Sequence, residues 1–211
     1  MNHKGFTLVE LLIAMVVASI VMAAIYAAHR SQTQSYRTQQ LVVQMQQNMR
    51  AALYLLEREI RMAGYSTDPP AEAGFVQNFG GLTGVVAAHA SSGAATDANN
   101  IAFTADDNQN GDIEDTTSFE IIAYRFNGAN NTLQRWSLVD PAGPVWGWQV
   151  AAEQITSLTF TYFDEGDNPI TPPLDADDLA DIRSVDVRIT AIAGDRDMQT
   201  TNKIKCRNMG Y

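Results

Sequence analysis

From Phe6 to Ala28 the chain is apolar almost without interruption, carrying one charge, Glu10, and no Pro or Gly. A helix over that run rises roughly 34 Å at about 1.5 Å per residue, enough to cross a bilayer core of about 30 Å. From His29 to Gln47 the pattern turns polar on nearly every side and rich in Gln and Ser. An apolar stripe then returns at Met45, Met49, Ala52, Leu56, Ile60 and Ala63, spaced by threes and fours. No helix breaker stands between Phe6 and Ala63, so the pattern predicts one helix of about 58 residues in three zones. The first is embedded in lipid or packed on like helices, the second is a solvated stalk, and the third lies on a domain core. Gly64 stops the helix, with Arg58 and Arg61 in the last turn where cations suit the helix dipole, and 65–70 confirms the break with Asp68-Pro69-Pro70.

Beyond the helix the period changes to two. Residues 70–100 are dominated by Gly, Ala and Ser and read as a long loop with one weak strand, Leu82–His89. Strands are expected at Asn100–Thr104, Ser118–Phe126, Thr132–Val139 and Val145–Val150, with a hairpin turn at Asn127–Asn131. In Ile155–Phe163, Leu158, Phe160 and Tyr162 share a face. In Ile182–Ala193, Val185, Val187, Ile189 and Ala191 face inward while Asp186, Arg188 and Thr190 face out. Met198–Cys206 closes a last hairpin after Gly194-Asp195-Arg196-Asp197. A long amphipathic helix followed only by strands predicts an α+β fold, an antiparallel β-sheet head wrapped against Met45–Ala63. The expected divisions are a leader 1–5, a transmembrane helix 6–28, its continuation on the head 29–63, and a β-rich head 64–211.

Composition sets the compartment and excludes several functions. The chain is 45% hydrophobic and 18% charged, ordinary for a folded protein. Residues 1–63 carry net +3, whereas 64–211 hold eight basic and 21 acidic residues, net −13. So acidic a head repels nucleic acid, and no direct nucleic-acid partner is expected. Cys206 is the only cysteine and has no intrachain partner; a buried thiol and an intermolecular link both remain open. His3, His29 and His89 are scattered, and neither a nucleophile–base set, a zinc spacing nor a phosphate-cradling loop is present. The reading is therefore of a protein that is not an enzyme.

Glu10 distinguishes the first helix from a disposable export signal. A carboxylate inside a spanning helix costs about 2.5–3.5 kcal/mol at the bilayer centre, and a signal that is cut away gains nothing from carrying it. The segment Lys4-Gly5-Phe6-Thr7-Leu8-Val9-Glu10 with its apolar helix resembles the start of type IV pilins and type II secretion pseudopilins. The resemblance implies that prepilin peptidase cleaves after Gly5 and N-methylates Phe6. It implies further that Glu10 meets the new Phe6 amino group of a neighbouring subunit during docking. A single pass of the inner membrane with a periplasmic head, an assembly platform in that membrane, and other pilins as partners through the helix follow from it. The helix exit, Glu57 to Tyr65, is similar to that of W-type minor pilins, with J-type minor pseudopilins of type II secretion as close cousins. The expected function is a structural minor pilin in pilus initiation or at the tip. The alternatives are the J-type pseudopilin and a filament-displayed binding module.

One stretch of the head carries candidate metal chemistry. In Asp106-Asp107-Asn108-Gln109-Asn110-Gly111-Asp112-Ile113-Glu114, oxygen donors recur at Asp106, Asn108 and Asn110 before a Gly, as in the first half of a calcium loop. Asp112 would add its carbonyl, and Glu114 a carboxylate, directly or through water. Thr117 stands where the usual bidentate Glu would be, so Glu114, Asp115 or Glu120 must complete the shell. The same residues also make an ordinary Asn/Asp/Gly turn, and both readings stand. The acidic run Asp175–Asp181 fits no ligand spacing and reads as a solvated loop. Trp136, Trp146 and Trp148 are read as sheet packing for at least one ring, with a glycan or partner platform as the other use.

Overall fold

The structure, a computed structural model, describes residues 5–66, 73–79, 92–106, 108–111, 113, 120–140, 145–194 and 196–209, with the side chains of 138–140 and 145 left undescribed. The expected strand Leu82–His89 lies outside the described residues. The chain divides into two compact units, Met1–Val43 and Gln44–Tyr211.

The first unit is helical from Leu8 onward, within helix α1 (Leu8–Ile60). Its large apolar side chains, Leu8 through Ile25, are all more than half exposed. An apolar surface on every side of a helix is stable only against lipid or other protein. α1 is long and apolar enough to cross a membrane. Ser19 Oγ donates to the Val16 carbonyl at 2.7 Å and Thr33 Oγ1 to that of His29 at 3.0 Å, so both hydroxyls are satisfied within the helix.

In the second unit the predicted stripe is the buried one: Met45, Met49, Ala52, Leu56, Ile60 and Ala63 are each at most 3% exposed. α1 ends at Ile60, and residues 61–64 turn away with Gly64 at φ 73°. The strands are β1 (Asn100–Thr104), β2 (Ile121–Asn127), β3 (Thr132–Asp140), β4 (Val145–Glu153), β5 (Ile155–Phe163), β6 (Pro169–Ile170), β7 (Ser184–Ala193) and β8 (Arg196–Lys205). They form two antiparallel four-stranded sheets, ordered β1-β2-β3-β4 and β6-β5-β7-β8, rather than the single sheet expected. The division falls at Gln154, one residue at φ 63° between β4 and β5.

Cross-strand register tells which faces meet α1. Ile101, Tyr124 and Arg135 are paired across β1, β2 and β3, and both Tyr124 and Arg135 bond Glu59 of α1. In the other sheet Phe160, Val187 and Asn202 are paired, and Asn202 Nδ2 donates to Glu57 at 3.1 Å. The inward faces of both sheets thus lie on the last five turns of α1. The opposite face of the first sheet builds a second core of Ala102, Ile121, Ala123 and Trp136 with Val76, Phe79, Ala94 and Ile113. Residues 97–100 tie the sheets together: Tyr162 Oη donates to the Asp97 and Asn100 carbonyls at 2.8 and 3.1 Å.

The acidic run is not a loop. Ala176–Asp181 is a short helix, α2, preceded by Asp175, whose side chain accepts from Asp178 N while Asp178 reaches back to Asp175 N. Buried Leu179 anchors it, which is why the expected start of β7 at Ile182 moves to Ser184.

Candidate processing and assembly site

The N-terminal segment is read from its own geometry first. Phe6 is 91% exposed, and a Cβ placed on Gly5 would meet no atom within 4 Å. Nothing in the described packing of this chain requires glycine at position 5. Thr7 caps α1: its Oγ1 accepts from Glu10 N at 3.3 Å, while Glu10 Oε2 accepts from Thr7 N at 2.9 Å and from Thr7 Oγ1 at 3.0 Å. This is a reciprocal capping box, satisfying two backbone donors that the first turn leaves unpaired. In the single chain Glu10 therefore has a local role that the docking argument overlooked. The signal, Thr-x-x-Glu ahead of an apolar run, was in the sequence.

At the far end of α1 lies a polar cluster that sequence reasoning missed. Glu59 is 7% exposed, and its Oε2 accepts from Tyr124 Oη at 2.6 Å and from Arg135 Nε at 3.0 Å. Arg58 bonds its other oxygen at 3.3 Å. Burial alone would lower the Arg135 guanidinium, but Glu59 and then Tyr124 outweigh it and raise it. Tyr124 is pushed far above its ordinary value, by burial first and the neighbouring Glu59 charge second. Glu59 lies three residues after Leu56 and four before Ala63, on the buried side of the stripe.

The metal candidates are placed in part. Asp106 is fully buried; its Oδ1 accepts from Asn110 N at 3.1 Å, and its Oδ2 from Gly111 N at 3.1 Å and Ser66 Oγ at 3.3 Å. Asn108 Oδ1 also accepts from Asn110 N, at 2.8 Å. The backbone curls so that side-chain oxygens of Asp106 and Asn108 converge, with Gln109 and Gly111 both at positive φ. That curl suits a hard cation, and it is equally the curl of a self-bonded turn. The Asn110 side chain is exposed, Asp112 and Glu114 lie outside the described residues, and Glu120 is fully buried beside Asp106 through the Ala105 N to Glu120 carbonyl bond of 2.9 Å. Among the described residues no group of three His, Cys, Asp or Glu could hold a metal.

The tryptophans are packed. Trp136 is 6% exposed and stands edge-to-face with Trp148 at 5.4 Å. Arg125 lies 4.2 Å over the Trp148 ring, and Trp148 Nε1 donates to the Ser92 carbonyl at 3.0 Å. Arg125 and Trp136 thus cover part of the Trp148 ring, which like Trp146 is half-buried. Cys206 is buried, and burial pushes its thiol up to about 12 against a weaker pull from Arg183.

Comparison with known proteins comes to the same two regions. The Prokaryotic N-terminal methylation motif matches residues 1–26, over the Gly5–Glu10 segment and the apolar half of the helix. Residues 38–207 match Prepilin peptidase-dependent protein B, from the stalk through the end of the head. No curated protein matches the chain.

Proposed function

The chain belongs to the prepilin peptidase-dependent protein B family, a type IV pilin-like family, and on that premise we propose that it is a membrane-anchored minor pilin that helps initiate a pilus or forms part of its tip complex. Prepilin peptidase cuts after Gly5 and methylates the new Phe6 amino group. The apolar half of α1 holds the subunit in the inner membrane with its head in the periplasm, then packs among the helices of other pilins above the assembly platform. Glu10 takes the amino group of a neighbour, and its retention favours a place below the extreme tip. The role is structural rather than catalytic. The observation that carries this reading is the juxtaposition at the N-terminus: a glycine no local packing demands, an exposed Phe6, and a carboxylate one turn into an uncovered apolar helix.

The W-type pilin is preferred to the J-type pseudopilin on the Glu57–Tyr65 helix exit. The test is the mature protein itself. Mass spectrometry should find a chain beginning with N-methyl-Phe6, and electron microscopy of a labelled head should find a sparse signal at pilus ends. A mature terminus among Ala23–Ala28 would overturn the processing reading. Label along the whole shaft would overturn the position.

A further inference from the structure

After β8 the chain crosses the exit of α1, and a thioether holds it there. Cys206 N donates to the Arg183 carbonyl at 3.0 Å and Arg207 N to the Arg61 carbonyl at 3.3 Å. Beyond that point, among the described residues, neither Asn208 nor Met209 makes a hydrogen bond. The anchor is the Met209 side chain. Its Sδ stands 2.6 Å from where a Cβ on Gly64 would lie and 2.8 Å from where one on Gly74 would lie. A Cβ on either residue would overlap the sulfur, and both glycines sit at positive φ, 73° and 125°. The thioether therefore joins the end of the helix exit, Gly74 and the strap 206–209 at one point.

That notch suits sulfur and not its oxide. The backbone donors on either side are taken: Gly64 N donates to the Thr104 carbonyl at 3.0 Å and Gly74 N to Thr104 Oγ1 at 2.9 Å. An oxygen on Sδ turned toward the glycines would overlap their backbone and find neither N–H free. Turned the other way, it exchanges an apolar contact for a hydrated one and draws the sulfur out of the notch. Met209 is within reach of a small oxidant, being half-buried and lining, with Cys206 and Arg207, a surface groove of about 880 Å³. Met45 and Met49, 1% and 3% exposed, are not. Cys206 is a poor target, because burial leaves it 8% exposed and keeps its thiol protonated up to about 12.

We propose that Met209 is an oxidation site whose sulfoxide releases the 206–209 strap from the α1 exit and uncovers Cys206. A sulfur lone pair takes one oxygen from hydrogen peroxide as the O–O bond breaks and water leaves; the sulfur is oxidised by two electrons and the peroxide reduced. A methionine sulfoxide reductase, drawing two electrons from a dithiol, restores the thioether and makes the latch reversible. The proposal goes beyond the proposed function and does not depend on processing at Gly5. Plain gap filling by a flexible side chain, the other use of methionine, predicts no coupling between Met209 and Cys206.

The full chain in detergent tests it. Hydrogen peroxide is added in steps and quenched with free methionine. Peptide masses then report oxygen uptake at each methionine, and a maleimide reports Cys206, the only cysteine. Met209 should gain one oxygen before Met45 and Met49, and labelling of Cys206 should then accelerate by about tenfold or more, in step with the sulfoxide. Sulfoxide reductase, removed with its dithiol before labelling, should return the slow rate. Met209→Leu keeps an apolar side chain in the notch and should hold Cys206 slow at the same peroxide dose. The proposal is overturned if Met209 stays unoxidised while exposed Met62 reacts, or if Cys206 is oxidised first. It is overturned equally by a Met209 sulfoxide that leaves Cys206 slow, or by Met209→Leu accelerating as the parent does. Should Met209→Leu fail to fold, reversal by the reductase on the unchanged chain decides the matter.

Discussion

Replacing the buried Glu59 by Ala should destabilise the head more than any single change of an exposed or half-exposed charge. Its carboxylate accepts from Tyr124 at 2.6 Å and Arg135 at 3.0 Å, and their removal from it leaves a hydroxyl and a guanidinium without their acceptor. Breaking one side of a buried ion pair costs about 3–5 kcal/mol. The Arg135 side chain keeps 18% of its surface in contact with water, which relieves part of the penalty and brings the expectation to about 2–4 kcal/mol. For a domain of this size that is a fall of roughly 5–15 °C in melting temperature. Tyr124→Phe loses one hydrogen bond to a charged acceptor and should cost less, about 1.5–3 kcal/mol. The assay is thermal unfolding of the full chain in detergent, followed by near-ultraviolet circular dichroism. The double replacement Glu59→Leu with Arg135→Met removes both charges and should recover most of the loss. A Glu59→Ala protein within about 0.5 kcal/mol of the parent would mean the carboxylate is solvated, and the reasoning fails.

Three further outcomes are expected. Cys206 keeps its proton up to about 12 when folded against 9.0 otherwise, so stability is intact below pH 9 and falls above it. The slope should approach about 1.4 kcal/mol per pH unit. Tyr124 and Tyr162, both raised by burial first, add to the fall above pH 10. Urea midpoints from pH 8 to 11 should show Cys206→Ala flattening the first part of it, and parallel curves would refute the assignment. At Glu10, Gln preserves the capping box with Thr7 and Ala removes it, while both remove the charge. Pilus incorporation should fail equally in both if the charge docks the subunit; normal incorporation of Glu10→Gln would assign the residue to helix capping alone. If the 106–114 loop closes on calcium, the head should melt a few degrees higher in millimolar calcium than in chelator, magnesium should substitute badly, and coincident curves would leave a plain turn.

The parts of this fold legible in sequence are those set by local period. Six apolar residues at spacings of three and four named the buried side of α1, and strict alternation gave β5 at Ile155–Phe163 with the bounds observed. What the pattern could not carry was long-range. The break into two sheets turns on the positive φ of Gln154, and no local signal marks a single residue as a sheet boundary. α2 is only six residues long, too short for periodicity, and the Asp175–Asp178 capping pair that starts it looked like part of a charge run. Glu59 escaped because a charge on a buried stripe reads as an edge position until its partners, 65 and 76 residues away, are known. At the N-terminus the reverse held: a functional account of Glu10 obscured its structural one. At Asp106 the sequence could not show that the carboxylate is buried and accepts from the loop N–H groups, because both depend on packing against Tyr65 and Ser66.

The polar contacts on α1 also bear on why the helix sits in one place. Met45, Met49, Ala52, Leu56, Ile60 and Ala63 are interchangeable enough that a slide by one turn would replace apolar with apolar at most positions. Area burial alone discriminates poorly between such registers. Glu59 does discriminate: sliding by four residues carries its carboxylate away from Tyr124 and Arg135, and carries Glu57 away from Asn202 of the second sheet. Tyr124 and Arg135 of the first sheet and Asn202 of the second thus bond the same turn of the helix, and together they fix translation and rotation. The net contribution of such a network to stability is small, since well-packed apolar replacements often match it, while its effect on specificity can be large. The Glu59→Leu, Arg135→Met protein should therefore melt near the parent temperature yet show broadened or doubled amide resonances along 45–63. A single sharp set of resonances would show that apolar shape alone sets the register.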